Sequence, residues 1–151
     1  MILQIKDKSE KQRICREILE ALPEWFEVEE SRERYISECA DRIFIAAEEN
    51  GRYSGFLVLK VTGNATIEIA VMGVLKDFHR QGIGKKLVAM AKDTARELGY
   101  SFMQVKTVAM GKYPDYDQTN QFYIGCGFKE FEVSPLLWDE ANPCQIYIMS
   151  L

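Results

Sequence analysis

Residues 76–99 read KDFHRQGIGKKLVAMAKDTARELG. In this stretch a turn, His79-Arg80-Gln81-Gly82-Ile83-Gly84, runs straight into a basic amphipathic helix. The first turn of a helix leaves backbone N–H groups without intrahelical acceptors, and the aligned peptide dipoles place partial positive charge there, so the junction suits an anion such as phosphate. Gly82 and Gly84 let the main chain approach a ligand closely, and either can take a positive φ at little cost. Arg80, Lys85 and Lys86 add full charges around the same point. Taken alone, the turn is equally the tight packing of a helix start.

The spacing excludes two nucleotide motifs. A Walker A loop needs GxxxxGK[ST], but the first glycine position holds His79 and Lys85 is followed by Lys86. A dinucleotide fingerprint needs GxGxxG, and Leu87 stands where its third glycine would be.

Working outward, the helix carries Ile83, Leu87, Val88, Ala91, Ala95 and Leu98 along one stripe, with Gly99 as its C-terminal cap. Before the turn, residues 65–75 alternate as a strand does. Ile67, Ile69, Val71 and Leu75 lie on one face, and Thr66, Glu68, Ala70, Met72 and Val74 on the other. Toward the N-terminus the pattern predicts a strand over Ile2–Ile5, then a helix capped by Ser9 with Ile14, Ile18, Leu19 and Leu22 inward and Pro23 as its stop. A short helix over 31–39 and strands over 42–48 and 53–61 follow, the last two separated by the hairpin signal Glu49-Asn50-Gly51-Arg52. Toward the C-terminus it predicts a strand over 102–108, a polar loop holding Pro114 and Asp115, a short helix over 119–126 stopped by Gly127, and two final strands over 128–133 and 145–150. These last two are expected to be joined by a long connection, 135–143. The order β-α-α-β-β-β-α-β-α-β-β is that of an α/β fold, a mixed sheet with helices on both faces.

Composition narrows the class. At 151 residues the chain fits a single domain, and 47% hydrophobic with 28% charged residues is an ordinary globular balance. Nothing approaches the run of about eighteen apolar residues that a membrane helix needs, and the N-terminal MILQIKDKSEK lacks a secretory apolar stretch, so a cytoplasmic protein with no membrane partner is expected. Cys15, Cys39, Cys126 and Cys144 are scattered without a CxxC pair and only one histidine is present, which reads as buried thiols and no metal site. A net charge of -4 argues against nucleic acid as a partner. The acidic run Glu24, Glu27, Glu29, Glu30 and Glu33 is either a solvated face or a field for a cationic substrate.

With these residues in place the chain resembles the GCN5-related N-acetyltransferase (GNAT) superfamily along nearly its whole length. In that family a strand ends in a Q/R-x-x-G-x-G/A turn whose amides bind the pyrophosphate of acetyl-CoA, and a later helix carries a Phe-Tyr pair shortly before Gly-Phe. His79 through Gly84 fill the turn, and Phe122, Tyr123, Gly127 and Phe128 fill the second signature. The chain departs from the pattern at His79, where Gln or Arg is usual, and at Tyr116, where an asparagine often contacts the cofactor; Asn120 stands one helical turn before Tyr123 as a replacement. The resemblance implies a single-domain acyl-CoA N-acyltransferase fold with a mixed sheet of six to seven strands and about four helices.

It also implies the chemistry. Acetyl transfer from a thioester to an amine needs a neutral amine, a stabilised oxyanion and a proton for the departing thiolate. Tyr123 would supply that proton and Glu68 would act as general base; otherwise the first is a packing aromatic and the second a solvent-facing strand residue. Met72, Gly73 and Val74 would run beside the pantetheine arm, with the Val74 amide on the acetyl carbonyl; Gly73 could instead mark a simple β-bulge. His79, Arg80, Gln81, Gly82, Ile83, Gly84 and Lys85 would hold the pyrophosphate, and Asn120 and Tyr123 would complete the cofactor set. Further readings are His79 as a catalytic base rather than a turn residue, Cys126 as a covalent nucleophile rather than a buried thiol, and the loops around Tyr113 and Trp138 as acceptor elements rather than packing and solvated turns. The expected activity is direct transfer from acetyl-CoA to a primary amine of a small molecule or peptide, in a ternary complex and without metal. The alternatives are a non-catalytic acetyl-CoA or CoA sensor and transfer of a longer acyl group. Exposed sheet edges leave room for a homodimer.

Overall fold

All residues from 1 to 151 are described in a computed structural model of the protein. The hairpin signal folds as its residues require: Asn50 and Gly51 both take positive φ, 52° and 79°, the pairing that matches a tight turn to strand twist. It joins β2 (Ile43–Glu49) to β3 (Arg52–Val61) in antiparallel register from Ile43↔Leu59 to Glu49↔Arg52. Outside β2 lies β1 (Ile2–Ile5), also antiparallel. On the other side come β4 (Thr66–Val74), β5 (Phe102–Val108), β7 (Asn142–Ser150) and β6 (Lys129–Asp139), giving a seven-stranded sheet in the order β1-β2-β3-β4-β5-β7-β6. The β4–β5 pair is parallel, from Thr66↔Phe102 to Ile69↔Val105, and β7 runs antiparallel to both β5 and β6. Four α-helices accompany the sheet, α1 (Lys8–Glu20), α2 (Glu29–Glu38), α3 (Ile83–Glu97) and α4 (Pro114–Gly125), with short 3-10 turns at Cys39–Asp41 and Lys76–Phe78. The α/β class and the element order are as the sequence predicts.

The chain forms two compact units. The first comprises Met1–Lys60 with Ala70–Thr94. One face of its strands, with Phe44, Ala46, Phe56, Val58 and Val71, packs against Ile14, Cys15, Ile18, Leu19 and Leu22 of α1 and its end, and against Ile36 and Cys39. On the opposite face Leu87 of α3 lies against β3 at Gly55, so this unit carries helices on both faces. The second comprises Val61–Ile69 with Ala95–Leu151. Its buried residues include Ile67, Ile69, Met103, Val105, Tyr123, Phe128, Tyr147 and Met149.

Several element ends differ from expectation. Helix α1 is capped by Asp7, whose carboxylate accepts from the Glu10 N–H at 2.9 Å, and Ser9 lies inside the helix. A carboxylate cap adds attraction to the helix dipole that a hydroxyl lacks. Helix α4 starts at Pro114 rather than Thr119, because Pro114 sits in its first turn, where a missing N–H costs nothing, and Asp115 and Asp117 suit that end. Leu98, assigned to the buried stripe of α3, is exposed past the helix end. The long connection expected over 135–143 is instead strand. β6 runs to Asp139 and turns within two residues, because Asp139 accepts from the Asn142 backbone N–H at 3.0 Å and from its side-chain amide. An edge strand tolerates Pro135, whose missing N–H is not needed for the ladder. No helix is long and apolar enough to cross a membrane, and no group of three or more His, Cys, Asp or Glu side chains converges on a point.

Candidate active site

The glycine turn belongs to the first unit. Its backbone is built by the 3-10 bonds Phe78 N–H to Leu75 carbonyl (2.9 Å) and His79 N–H to Lys76 carbonyl (3.1 Å), followed by Lys86 N–H to Gly82 carbonyl (3.1 Å). This last bond is the first of α3 and makes Gly82 its N-cap, so the N–H groups of Ile83, Gly84 and Lys85 have no acceptor within the helix. These are the amides that the sequence reading assigns to an anion. The positive φ angles fall on Arg80 (64°) and Gly82 (77°), while Gly84 is helical. Gly82 thus takes the positive φ open to either glycine, and Arg80 joins it in the left-handed region, an arrangement costly for a residue with a Cβ and concentrated at functional turns. Arg80, Gln81, Lys85 and Lys86 are exposed around this point.

The end of β4 is oriented by β3. The Leu75 N–H donates to the Ser54 carbonyl at 2.8 Å. Because N–H and C=O alternate sides along a strand, Gly73 and Leu75 face β3, whereas Met72 and Val74 turn their main-chain groups to the opposite edge. The Val74 amide is therefore placed on that edge and the Gly73 amide is not. Gly73 is needed for another reason: a Cβ there would lie 3.0 Å from Leu22 Cδ1 and 3.2 Å from Ile18 Cγ2. Gly55, which sequence reasoning missed, performs the matching service on the other face, where a Cβ would lie 3.0 Å from the Gly73 carbonyl oxygen and 3.1 Å from Val74 Cγ2. His79 is exposed, and its Nε2 lies 2.6 Å from the Val74 carbonyl.

The remaining candidates belong to the second unit. Glu68 is only 8% exposed, and its Oε1 accepts from Lys106 Nζ at 2.6 Å. The solvent-facing alternative for Glu68 is thereby excluded, and one carboxylate oxygen is already engaged by a cation. Lys106 went unnoticed in the sequence; the available signal was an opposite charge near Glu68 on the neighbouring parallel strand, where Glu68 pairs with Gln104. Tyr123 is 6% exposed, with its ring 5.7 Å from Phe128 and 6.1 Å from Tyr147, centroid to centroid.

Asn120 behaves differently from expectation. It is 1% exposed, donates from Nδ2 to the Val108 carbonyl (2.8 Å) and the Tyr116 carbonyl (2.7 Å), and accepts from the Tyr147 hydroxyl at Oδ1 (2.6 Å). Both amide hydrogens are spent, so its side chain joins α4 to β5 and β7 and has no donor left for a cofactor. The acidic run is also partly neutralised: Glu24 pairs with Lys76, which holds its carboxyl below the usual range, and Glu33 takes a two-pronged bond from Arg16 at 2.8 Å. Cys15, Cys39 and Cys144 are buried, and burial pushes the Cys144 thiol up to about 11, far from a nucleophile's range.

No curated protein sequence matches the chain. Among solved structures, a GNAT-family protein of Desulfovibrio desulfuricans superposes with a TM-score of 0.86 at 17% identity, covering 99% of both chains. An aminoglycoside 6'-N-acetyltransferase complexed with coenzyme A superposes at 0.76 and 17% identity, over 99% of this chain and 96% of that one. The ribosomal-protein-S18-alanine N-acetyltransferase of Escherichia coli does so at 0.76 and 16% identity, over 99% and 94%. The family described as "Acetyltransferase (GNAT) family" matches residues 11–128, the span that includes the glycine turn and both Phe122-Tyr123 and Gly127-Phe128, and the chain belongs to that family.

Proposed function

We propose that this protein transfers the acetyl group of acetyl-CoA directly to a primary amine of a small molecule or peptide in a ternary complex. The observation that carries the reading is the turn at the start of α3, where three successive main-chain N–H groups lack helical acceptors beside Arg80, Lys85 and Lys86. In this reading the turn from His79 to Lys85 receives the pyrophosphate, and the outward main chain of Met72 and Val74 accompanies the pantetheine arm. The Val74 N–H polarises the acetyl carbonyl, a role in which one donor contributes about 3 kcal/mol to the transition state. Tyr123 returns a proton to the departing thiolate. Glu68 accepts the amine's proton directly or through water, with the oxygen that Lys106 does not hold. Asn120 is left out of the cofactor set because its amide is committed within the fold.

Related structures carry aminoglycoside and protein-alanine acetyltransferase names, which makes both small amines and peptide N-termini reasonable first acceptors. With Glu24 and Glu33 paired to cations, Glu27, Glu29 and Glu30 are what remains of an acidic field. The test begins with calorimetric titration of acetyl-CoA, for which micromolar to submillimolar binding is expected; none at millimolar concentration would end the proposal. Release of free thiol from acetyl-CoA across a panel of aminoglycosides, polyamines and peptides then separates an enzyme from a sensor. With an accepted amine in hand, Tyr123→Phe should keep acetyl-CoA affinity within about twofold while turnover falls by roughly a hundredfold or more. Unchanged turnover in that variant across pH would remove Tyr123 from the chemistry.

A further inference from the structure

One peptide plane at the end of β4 is held from both sides. Its N–H, that of Leu75, donates to the Ser54 carbonyl at 2.8 Å, and its carbonyl, that of Val74, lies 2.6 Å from His79 Nε2. A peptide oxygen can only accept, so Nε2 carries the hydrogen. The bond closes a ring through the 3-10 turn Lys76–Phe78 and ties the last β4 peptide to the first residue of the glycine turn. The imidazole is itself steadied. Trp25 meets it edge-on, with centroids 6.1 Å apart at 72°, and the Lys76 ammonium is paired with Glu24, the residue before Trp25. A second, weaker tie runs parallel to it, from Gln81 Nε2 to the Asp77 carbonyl at 3.2 Å.

The backbone makes the turn without this help, through the 3-10 bonds and the Lys86–Gly82 bond. What the side chain adds is a fixed relation between two segments: the outward edge of β4 at Met72 and Val74, and the amides of Ile83 to Lys85. We propose that His79 is a positioning residue for the cofactor, a brace that sets the spacing between the segment receiving the thioester arm and the segment receiving the pyrophosphate. The inference rests on the acetyl-CoA reading above. Without the brace each segment keeps its own ligand groups, but the two are no longer pre-set to one ligand, and binding must supply the order that the hydrogen bond provided.

The test compares wild type, His79→Ala and His79→Gln. Gln offers an amide N–H at about the reach of Nε2 but no aromatic ring. Calorimetry with acetyl-CoA is expected to show a loss of about three- to tenfold for His79→Ala, the effect of one hydrogen bond, and recovery to within about twofold for His79→Gln. Adenosine 3',5'-bisphosphate, competed against acetyl-CoA, offers phosphates to the turn but has no thioester arm to reach β4, and should bind all three proteins alike. Hydrogen exchange at the Leu75 amide, followed without ligand, should speed up in the Ala variant and return in the Gln variant. An unchanged acetyl-CoA affinity in His79→Ala overturns the brace. So does a Gln variant as weak as Ala, which would assign the effect to the imidazole ring and its packing on Trp25 rather than to the hydrogen bond, or an equal loss for the bisphosphate, which would place His79 within the phosphate contacts. A wild-type protein that binds no acetyl-CoA, while Leu75 exchange responds as expected, refutes the functional reading and leaves the brace as a feature of the fold.

Discussion

Gly82 is a position where conformation and electrostatics can be separated by substitution. Its φ of 77° disfavours any L side chain, yet a Cβ there would meet nothing within 4 Å, so the site lacks steric obstruction and the strain is that of the backbone alone. Placing a Cβ in the left-handed region costs about 1–2 kcal/mol. Gly82→Ala should therefore fold with a modest loss of stability and raise the acetyl-CoA dissociation constant only severalfold. Gly82→Glu adds the same strain plus a negative charge at the mouth of the anion site, and should weaken binding by more than about a hundredfold, since the interaction is opposed in sign as well as in shape. Circular dichroism confirms folding, and calorimetry reads the difference between the two variants. If Ala and Glu bind acetyl-CoA equally, the turn is not where the phosphates sit.

At the scale of elements, the last residues of β4 are shaped by glycines on both of their faces. Gly55→Ala would place a Cβ 3.0 Å from a backbone oxygen of Gly73 and 3.2 Å from Leu87 Cδ1, and a backbone atom cannot swing aside. Overpacking of this kind costs about 1–3 kcal/mol, which for a chain of this size lowers the melting temperature by roughly 2–12 °C and shifts the Val74 end of β4. Leu136→Lys on β6, at a residue 72% exposed, should by contrast change stability by no more than about 0.5 kcal/mol. A large loss at Leu136 would mean that the edge carrying Phe131, Leu136, Leu137 and Trp138 is covered in solution, as pairing with a second copy would do. These two elements also show what the sequence made legible. Period-2 alternation gave β4, and a helical stripe with its glycine turn gave α3 and its acceptor-free first amides, because both signals are local. The far half of β6 was hidden because Pro135 reads as a strand breaker, and only its edge position makes it harmless. Lys106, Gly55 and the His79–Val74 bond were hidden because each depends on which residues register or packing brings together, and no window of sequence contains that information. The commitment of the Asn120 amide is of the same kind, since its partners Val108 and Tyr147 lie on β5 and β7, 12 and 27 residues away in the chain.

For the whole molecule, the relevant quantity is charge. The chain carries a formal -4, yet the ligand proposed for it is itself strongly anionic, so affinity must come from a local field that outweighs the global one. Arg80, Lys85 and Lys86 form that field and are exposed, which makes it accessible to counterions. The Debye length is about 10 Å at 0.1 M salt and about 3 Å at 1 M, so added salt screens both the distant repulsion from the acidic surface and the nearby attraction. Attraction is expected to win at short range because the helix-start amides and the three cations lie within seven residues of one another, whereas several acidic residues, including Glu10, Glu24 and Glu33, are paired with cations. Acetyl-CoA affinity should therefore fall as salt rises. The effect is readable in stability: a ligand at a hundred times its dissociation constant stabilises the folded state by about 2.7 kcal/mol, a rise of roughly 5–11 °C in melting temperature for a chain of this length. At a fixed acetyl-CoA concentration near that level in 50 mM salt, the rise should shrink by several degrees at 0.5 M, while adenosine, which lacks the phosphates, should give little rise at either. A shift that grows with salt would show that net repulsion dominates and that the cations around the turn do not hold the cofactor.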